Sequence, residues 1–134
     1  MKQKADPRNY FGMEQEDYLQ AIYHLEHTSG VARISDIARV LGVRKPSASQ
    51  MVERLEEQGV ILHELYAGVR LTQKGQKRAL EVLDRHEALV DFFTAIGIPK
   101  KVREHDIHGL EHYLSPITLK KLRELTKKLR ASKH

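Results

Sequence analysis

The chain has 134 residues, which suffices for one compact domain or two small units and excludes a large catalytic scaffold. It contains no cysteine, so disulfides and thiolate metal sites are excluded, and charged residues interrupt every apolar run, which excludes a transmembrane span. The net charge of +5 is weak evidence for nucleic-acid binding, because residues 117–134 carry seven Lys/Arg against one Glu and the rest sums to about −1.

The residues after Met1 are polar and lack the apolar run of a signal segment. We therefore expect a cytoplasmic protein with no membrane association.

The first part of the chain predicts three successive helices. The first, at about residues 13–27, has Tyr18, Ile22 and Leu25 on one apolar stripe. The second and third both show apolar spacing of i, i+3, i+4 and i+7 and both end at a glycine. Those residues are Ile34, Ile37, Ala38 and Leu41 before Gly42, and Ala48, Met51, Val52 and Leu55 before Gly59. The tight link between two such helices predicts a helix-turn-helix.

Two short β-prone segments follow, at residues 60–62 and 69–71, with a turn expected at Ala67 and Gly68. This pattern predicts a two-stranded wing. Thr72 is expected to cap a long helix that ends before Gly97. The residues predicted along one face of that helix are Ala79, Leu83, His86, Val90 and Phe93.

A fifth helix is expected over residues 100–114, and a sixth opens at Ser115 and Pro116. The leucines expected to face inward on the sixth helix are Leu119, Leu122, Leu125 and Leu129. The predicted fold is mainly α, with a winged helix-turn-helix over residues 1–74 and a helical metal-binding and dimerisation domain over 75–134.

The third helix carries candidate DNA-contacting side chains. If its apolar stripe packs inward, the opposite face presents Ser47, Gln50 and Arg54, with Lys45 and Ser49 at its start. A helix fits the major groove, where Gln and Arg can bond base edges while Ser and Lys hold phosphates. Other candidate contacts are Arg33, Arg44, Arg70 and Lys74. An exposed polar face is the alternative, but the helix-turn-helix and wing together favour recognition of double-stranded DNA.

Histidines and carboxylates form a second constellation. His108, Glu111 and His112 stand at i, i+3 and i+4, which places them on one face of a helix. His86 lies on the apolar stripe of the long helix, and Asp17 lies on the first helix. Taken singly, His86 could be a hydrogen-bonded core histidine and Asp17 a helix-terminal charge. The trio is more typical of a metal site.

Several stretches of the chain together resemble a known family, the iron- and manganese-dependent repressors typified by the diphtheria toxin repressor and the manganese transport regulator. The stretches are residues 16–23 (EDYLQAIY), 34–38 (ISDIA), 69–75 (VRLTQKG), 85–87 (RHE) and 109–115 (GLEHYLS). The resemblance is closest to the short, manganese-type branch, which lacks the C-terminal SH3-like domain. It implies a homodimeric repressor of metal-uptake genes that binds a palindromic operator when a divalent metal is present. By position it implies metal ligands at Asp17, His86, Glu111 and His112.

Two positions depart from the manganese-type pattern, since Gln20 and His108 stand where that branch uses glutamates. Iron-type members place cysteine at the second position, and they place methionine at the position of Asp17. The candidate ligand set therefore includes Gln20 and His108. The cofactor is expected to be Mn²⁺ or Fe²⁺, and three imidazoles with two carboxylates would suit Co²⁺ or Zn²⁺ as well. With two carboxylates fewer, one ion per subunit is favoured over a two-metal cluster.

The expected mechanism couples metal binding to DNA binding. One cation would be bound by Asp17 on the first helix and by His86, Glu111 and His112 on later helices. Its binding would fix the spacing of the two recognition helices in a dimer. The coupling free energy between metal binding and DNA binding is then about 1–3 kcal/mol.

Two alternatives to this mechanism remain at this point. One is a winged-helix regulator that does not respond to metal. The other is a small zinc peptidase, because His-x-x-Glu-His is also a peptidase signature, although only 22 residues follow His112 to supply a further ligand.

Overall fold

The structure is a computed structural model that describes residues 12–132. This part of the chain contains six helices and one two-stranded sheet, so the mainly α prediction with a wing is confirmed. The elements in chain order are α1 (Gly12–Ser29), α2 (Ile34–Leu41), α3 (Lys45–Glu57), β1 (Ile61–Glu64), β2 (Gly68–Leu71), α4 (Gln73–Ala95), α5 (Lys100–Leu110) and α6 (Pro116–Ala131).

The chain forms two compact units. The N-terminal unit is Glu14–Glu81, and the C-terminal unit includes residues 82–132, so that α4 contributes residues to both. Among residues 12–132, none of the helices combines the length and apolar character needed to cross a lipid bilayer.

The core of the N-terminal unit follows the predicted helical spacing. All four apolar positions of α3 are buried, as are Ile37 and Ala38 of α2. Gly42 ends α2 in the left-handed conformation with φ 67°, and its N–H bonds the carbonyls of Ala38 and Arg39. A residue with a side chain is strained at such a φ, so glycine permits the short turn into α3.

The wing is an antiparallel pair in which Ile61 is opposite Leu71 and Glu64 is opposite Gly68. The turn between the strands was predicted at Ala67 and Gly68, and the residues with positive φ there are Tyr66 (70°) and Gly68. Val69 N–H also donates to Ala32 O at 2.7 Å, which ties the wing to the segment before α2. The wing is therefore bonded to the helix-turn-helix through the backbone.

The start of α4 is fixed by two close contacts. Thr72 Oγ1 accepts from Gly75 N–H at 3.1 Å, as expected of a helix cap, and donates to Gly59 O at 2.7 Å. A Cβ at Gly75 would lie 1.9 Å from Val60 O. Only glycine lets the first turn of α4 approach the strand backbone this closely.

In the C-terminal unit, α6 lies beside the later part of α4. Ser115 caps α6 by accepting from Thr118 N–H at 3.3 Å. Arg123 pairs with Asp84, and Arg130 pairs with Asp91 at 3.2 Å.

The leucines of α6 are less buried than predicted. Leu125 is 44% exposed, while Thr126 is buried. Leu119, Leu122 and Leu129 are half-buried, so the leucine stripe remains partly exposed in a single chain.

Candidate metal centre and nucleic-acid interface

The turn after α5 positions two of the predicted ligands. α5 ends at Leu110, earlier than the predicted residue 114. Glu111 N–H still bonds Ile107 O at 3.0 Å, whereas His112 N–H bonds Gly109 O at 3.4 Å in a tighter turn. Ser115, which precedes Pro116, is extended (φ −76°, ψ 159°), as residues before proline generally are. The chain therefore leaves the helix between Glu111 and the proline, and Glu111 and His112 are both buried.

Glu111 lies at the centre of three histidines within the C-terminal unit. His86 Nδ1 on α4 bonds Glu111 Oε2 at 2.6 Å, and His112 Nε2 lies 3.6 Å from Glu111 Oε1. A ring nitrogen of His108 lies within 4.8 Å of a carboxylate oxygen of Glu111. The structure thus brings four of the six predicted metal ligands together.

The centre is buried at its base and open at its rim. Glu111 and His112 are 2% and 1% exposed, whereas His86 is half-buried and His108 is exposed. A buried carboxylate needs a compensating positive charge or hydrogen bonds. The hydrogen bond to Glu111 raises the pKa of His86, as do the negative charges of Glu111 and Glu87, while burial lowers it. The hydrogen bond between His86 and Glu111 therefore stands at a place where a cation could bind both side chains.

The backbone of the same turn is also held by α4. Arg85 Nε donates to Glu111 O at 2.6 Å. Arg85 is not among the site residues that the sequence predicts. It lies in the 85–87 stretch that carries the family resemblance, but its bond depends on where α5 ends, which the apolar pattern does not specify.

The donor set fits a divalent transition metal. Imidazole and carboxylate are the common protein ligands of such ions, bound at about 2.0–2.2 Å. At such distances two tetrahedral ligands lie about 3.3 Å apart, close to the 3.6 Å between His112 Nε2 and Glu111 Oε1. The residues that could hold the ion in this unit are His86, His108, Glu111 and His112.

The two other predicted ligands lie on α1 in the N-terminal unit. Asp17 and Gln20 are one helical turn apart and both are half-buried. They therefore share one side of α1.

The predicted DNA-contacting side chains lie on the outside of the N-terminal unit. Ser47, Gln50 and Arg54 are exposed on the face of α3 opposite its buried stripe. Lys45, Arg33, Arg44 and Arg70 are exposed as well, and Ser49 is half-buried. Lys74 Nζ lies 3.4 Å from Gln58 O, so it also contacts the end of α3. These positions leave the polar face of α3 accessible to a groove.

Two family descriptions match nearly the whole chain. "Iron dependent repressor, N-terminal DNA binding domain" matches residues 11–69, and "Iron dependent repressor, metal binding and dimerisation domain" matches residues 72–134.

Individual relatives agree with these matches. The HTH-type transcriptional regulator MntR of Lysinibacillus sphaericus is 37% identical over 128 residues, with 88% of this chain and 92% of the relative covered. The MntR of Listeria welshimeri is 41% identical over 100 residues, with 75% and 70% covered.

Solved structures share the fold. A manganese-dependent transcriptional repressor in complex with manganese is 26% identical and superimposes with a TM-score of 0.76, over 84% of this chain and 52% of the other. The IdeR structure from T. acidophilum is 27% identical with a TM-score of 0.73, over 84% and 53%. This chain therefore spans about half the length of those two proteins.

Proposed function

Because the chain belongs to the iron-dependent repressor family, and is a metal-dependent, DNA-binding transcriptional repressor rather than an enzyme, we propose that it represses genes of metal-ion uptake when a divalent ion such as Mn²⁺ or Fe²⁺ is bound. Family membership removes the peptidase alternative. We infer that it acts in the cytoplasm, as expected of a protein that binds chromosomal DNA.

One observation carries the proposal. A histidine and carboxylate centre occupies the C-terminal unit, and an exposed helix-turn-helix face occupies the N-terminal unit of the same chain. A metal sensor needs both a metal site and a DNA-binding face. The ion changes DNA affinity if it binds the conformation that fits the operator more tightly than it binds the other conformations of the protein.

The proposed metal ligands are His86, His108, Glu111 and His112, with Asp17 and Gln20 added from their positions in the sequence. A bound ion would supply positive charge beside the buried carboxylate of Glu111. Glu111 and His112 are the buried members, so they fix the position of the ion, while the histidines nearer the rim complete its coordination.

The proposed DNA contacts are those on α3 and around the wing. Gln50 and Arg54 have the donors to bond base edges in a major groove, and their neighbours hold phosphates. Those neighbours are Arg33, Arg44, Lys45, Ser47, Ser49 and Arg70. In a homodimer two α3 helices would read the half-sites of a palindromic operator.

The test compares DNA affinity with and without metal. Fluorescence anisotropy with a labelled operator should show about 5- to 150-fold tighter binding in the presence of Mn²⁺ or Fe²⁺ than with a chelator. His112→Ala should lose this response, and His105→Ala, an exposed histidine on α5, should keep it. Equal affinity with and without metal would favour a regulator that metal does not control.

A second pair of variants separates metal binding from DNA binding. Arg54→Ala should weaken operator binding while metal affinity, measured by calorimetry, stays unchanged. Lys128→Ala on α6 is the matched control for loss of one exposed positive charge. An operator reduced to one half-site should bind a dimer more weakly than the inverted repeat.

A further inference from the structure

The metal centre of the C-terminal unit is rich in nitrogen. Three imidazoles surround one carboxylate, with His86 Nδ1 at 2.6 Å and His112 Nε2 at 3.6 Å from the oxygens of Glu111. Imidazole suits Zn²⁺, Co²⁺ and Fe²⁺, whereas Mn²⁺ is better matched by carboxylate, carbonyl and water oxygens. This donor set differs from what the name of the manganese-dependent repressor among its structural neighbours would lead one to expect.

His108 is the member of the set that is free of the core. It is exposed on the last turn of α5, its ring lies edge-on to His112 with centroids 6.3 Å apart, and one of its nitrogens lies within 4.8 Å of Glu111. His112 is held in the core and Glu111 is bonded by His86, so neither can change without disturbing packing or charge balance. A substitution at His108 therefore changes the ligand set of the centre without disturbing the packing of the core.

We propose that His108 is a selectivity-determining ligand that shifts this centre away from Mn²⁺ and toward ions that prefer nitrogen ligands, with Co²⁺ as the probe. The inference rests on the proposed metal centre and adds its preference among ions. The affinity of a site with nitrogen ligands for divalent ions generally increases in the order Mn²⁺ < Fe²⁺ < Co²⁺. The effect of His108 on selectivity is therefore measured by how its substitution changes the ratio of the Mn²⁺ and Co²⁺ dissociation constants.

The experiment measures Mn²⁺ and Co²⁺ affinities of the full chain by calorimetry. His108→Glu replaces the imidazole by a carboxylate and should lower the ratio of the Mn²⁺ to the Co²⁺ dissociation constant by about tenfold or more. His108→Ala should weaken Co²⁺ binding more than Mn²⁺ binding. The visible absorption of bound Co²⁺ should also change in both variants, because each removes one nitrogen ligand.

The matched control is His105→Glu, which adds the same charge to an exposed position on α5 one turn away. An added negative charge strengthens the binding of every divalent ion, so His105→Glu should leave the ratio unchanged. An unchanged ratio in His108→Glu, or an equal change in His105→Glu, would overturn the inference.

The same measurements separate this inference from the proposed function. If the ratio shifts as stated while operator affinity responds to none of these ions, the selectivity inference holds and the sensor proposal fails. If operator affinity responds to metal but His108→Glu leaves the ratio unchanged, the sensor proposal holds and the selectivity inference fails.

Discussion

His86 and Glu111 illustrate how one pair of side chains can serve both the folded state and a ligand. In the absence of metal, their 2.6 Å hydrogen bond joins a half-exposed imidazole to a buried carboxylate. A metal ion would displace the proton from this pair. Metal affinity should therefore fall at acidic pH, because the ion competes with protons for His86.

The same pair predicts a pH dependence of stability without metal. The folded-state pKa of His86 is raised above its usual value, chiefly by the hydrogen bond to Glu111. The contribution of His86 to the free energy of unfolding is fully present below its unfolded-state pKa of about 6.5. That contribution is lost as the pH rises through the folded-state pKa. Urea unfolding in a chelator should show stability falling over that window, and His86→Asn should reduce the fall. An identical pH profile in both proteins would contradict this.

We expect Gly→Ala substitutions at two positions, Gly75 and Gly109, to have opposite effects on the free energy of unfolding. Gly75→Ala forces a Cβ to within 1.9 Å of Val60 O and should destabilise the chain by about 2–3 kcal/mol or more. Gly109→Ala adds a Cβ that meets nothing within 4 Å and should stabilise α5 by about 0.5–1 kcal/mol. Chemical denaturation of both variants is the measurement, and equal effects would show that the close approach at Gly75 does not matter.

Single residues differ in how far sequence could predict them. The inward face of α3 follows from spacing alone, because a helix repeats every 3.6 residues. The proximity of His86 to Glu111 does not follow from spacing, because it depends on how α4 packs against the end of α5. The sequence indicated it only through the family resemblance. Arg85 was missed because a side chain that bonds a backbone carbonyl leaves no pattern in the sequence.

At the scale of the elements, α4 holds the turn that carries Glu111 and His112 in two ways. His86 bonds the Glu111 carboxylate, and Arg85 bonds the Glu111 carbonyl at 2.6 Å. The turn lies beyond the last helical residue, so its shape depends on these contacts as well as on its own backbone bonds. Arg85 is therefore a positioning residue for the metal centre.

Arg85→Ala should weaken metal binding by about tenfold, as loss of an outer hydrogen bond to a ligand typically does. Arg85→Lys keeps a donor and should recover part of the affinity. Lys77→Ala, an exposed position earlier on α4, serves as the control. Calorimetric titration is the readout, and full affinity in Arg85→Ala would show that the turn holds without this bond.

The ends of elements were less predictable than their existence. Six helices and a wing follow from apolar spacing and from glycine and proline positions. The end of α5 at Leu110 does not, because Pro116 restricts only Ser115 and leaves the conformation of residues 111–114 open. The apolar pattern of α6 predicts inward leucines because it describes that helix alone. In one chain, Leu125 is 44% exposed. Burial depends on neighbours that a pattern within one helix cannot specify.

For the whole molecule, the distribution of charge matters more than its sum. The excess positive charge lies on α6, where Arg123 and Arg130 pair with aspartates of α4 and Lys121 lies 3.6 Å from Glu124. Part of the basic C-terminal sequence is thus used inside its own unit. The charges proposed to meet DNA lie on the N-terminal unit.

The salt dependence of operator binding should distinguish the two sets of charges. Removing a side chain that neutralises one phosphate makes the slope of log affinity against log salt shallower by about 0.9. Lys45→Ala and Arg44→Ala should each reduce the slope by about one, whereas Lys127→Ala and Lys128→Ala should leave it unchanged. Binding isotherms at several salt concentrations test this, and a reduced slope in the α6 variants would place that helix on the DNA.

The two ion pairs between α4 and α6 also fix the alignment of those helices. Asp84 and Asp91 are seven residues apart, and so are Arg123 and Arg130, so both pairs recur after two helical turns in the same direction. One extra residue placed between Ser115 and Arg123 would swing both arginines about 100° around the helix axis at once. One extra residue in the link at residues 96–99 would leave both ion pairs intact. Natural variation in chain length should therefore gather in that link and avoid the first two turns of α6.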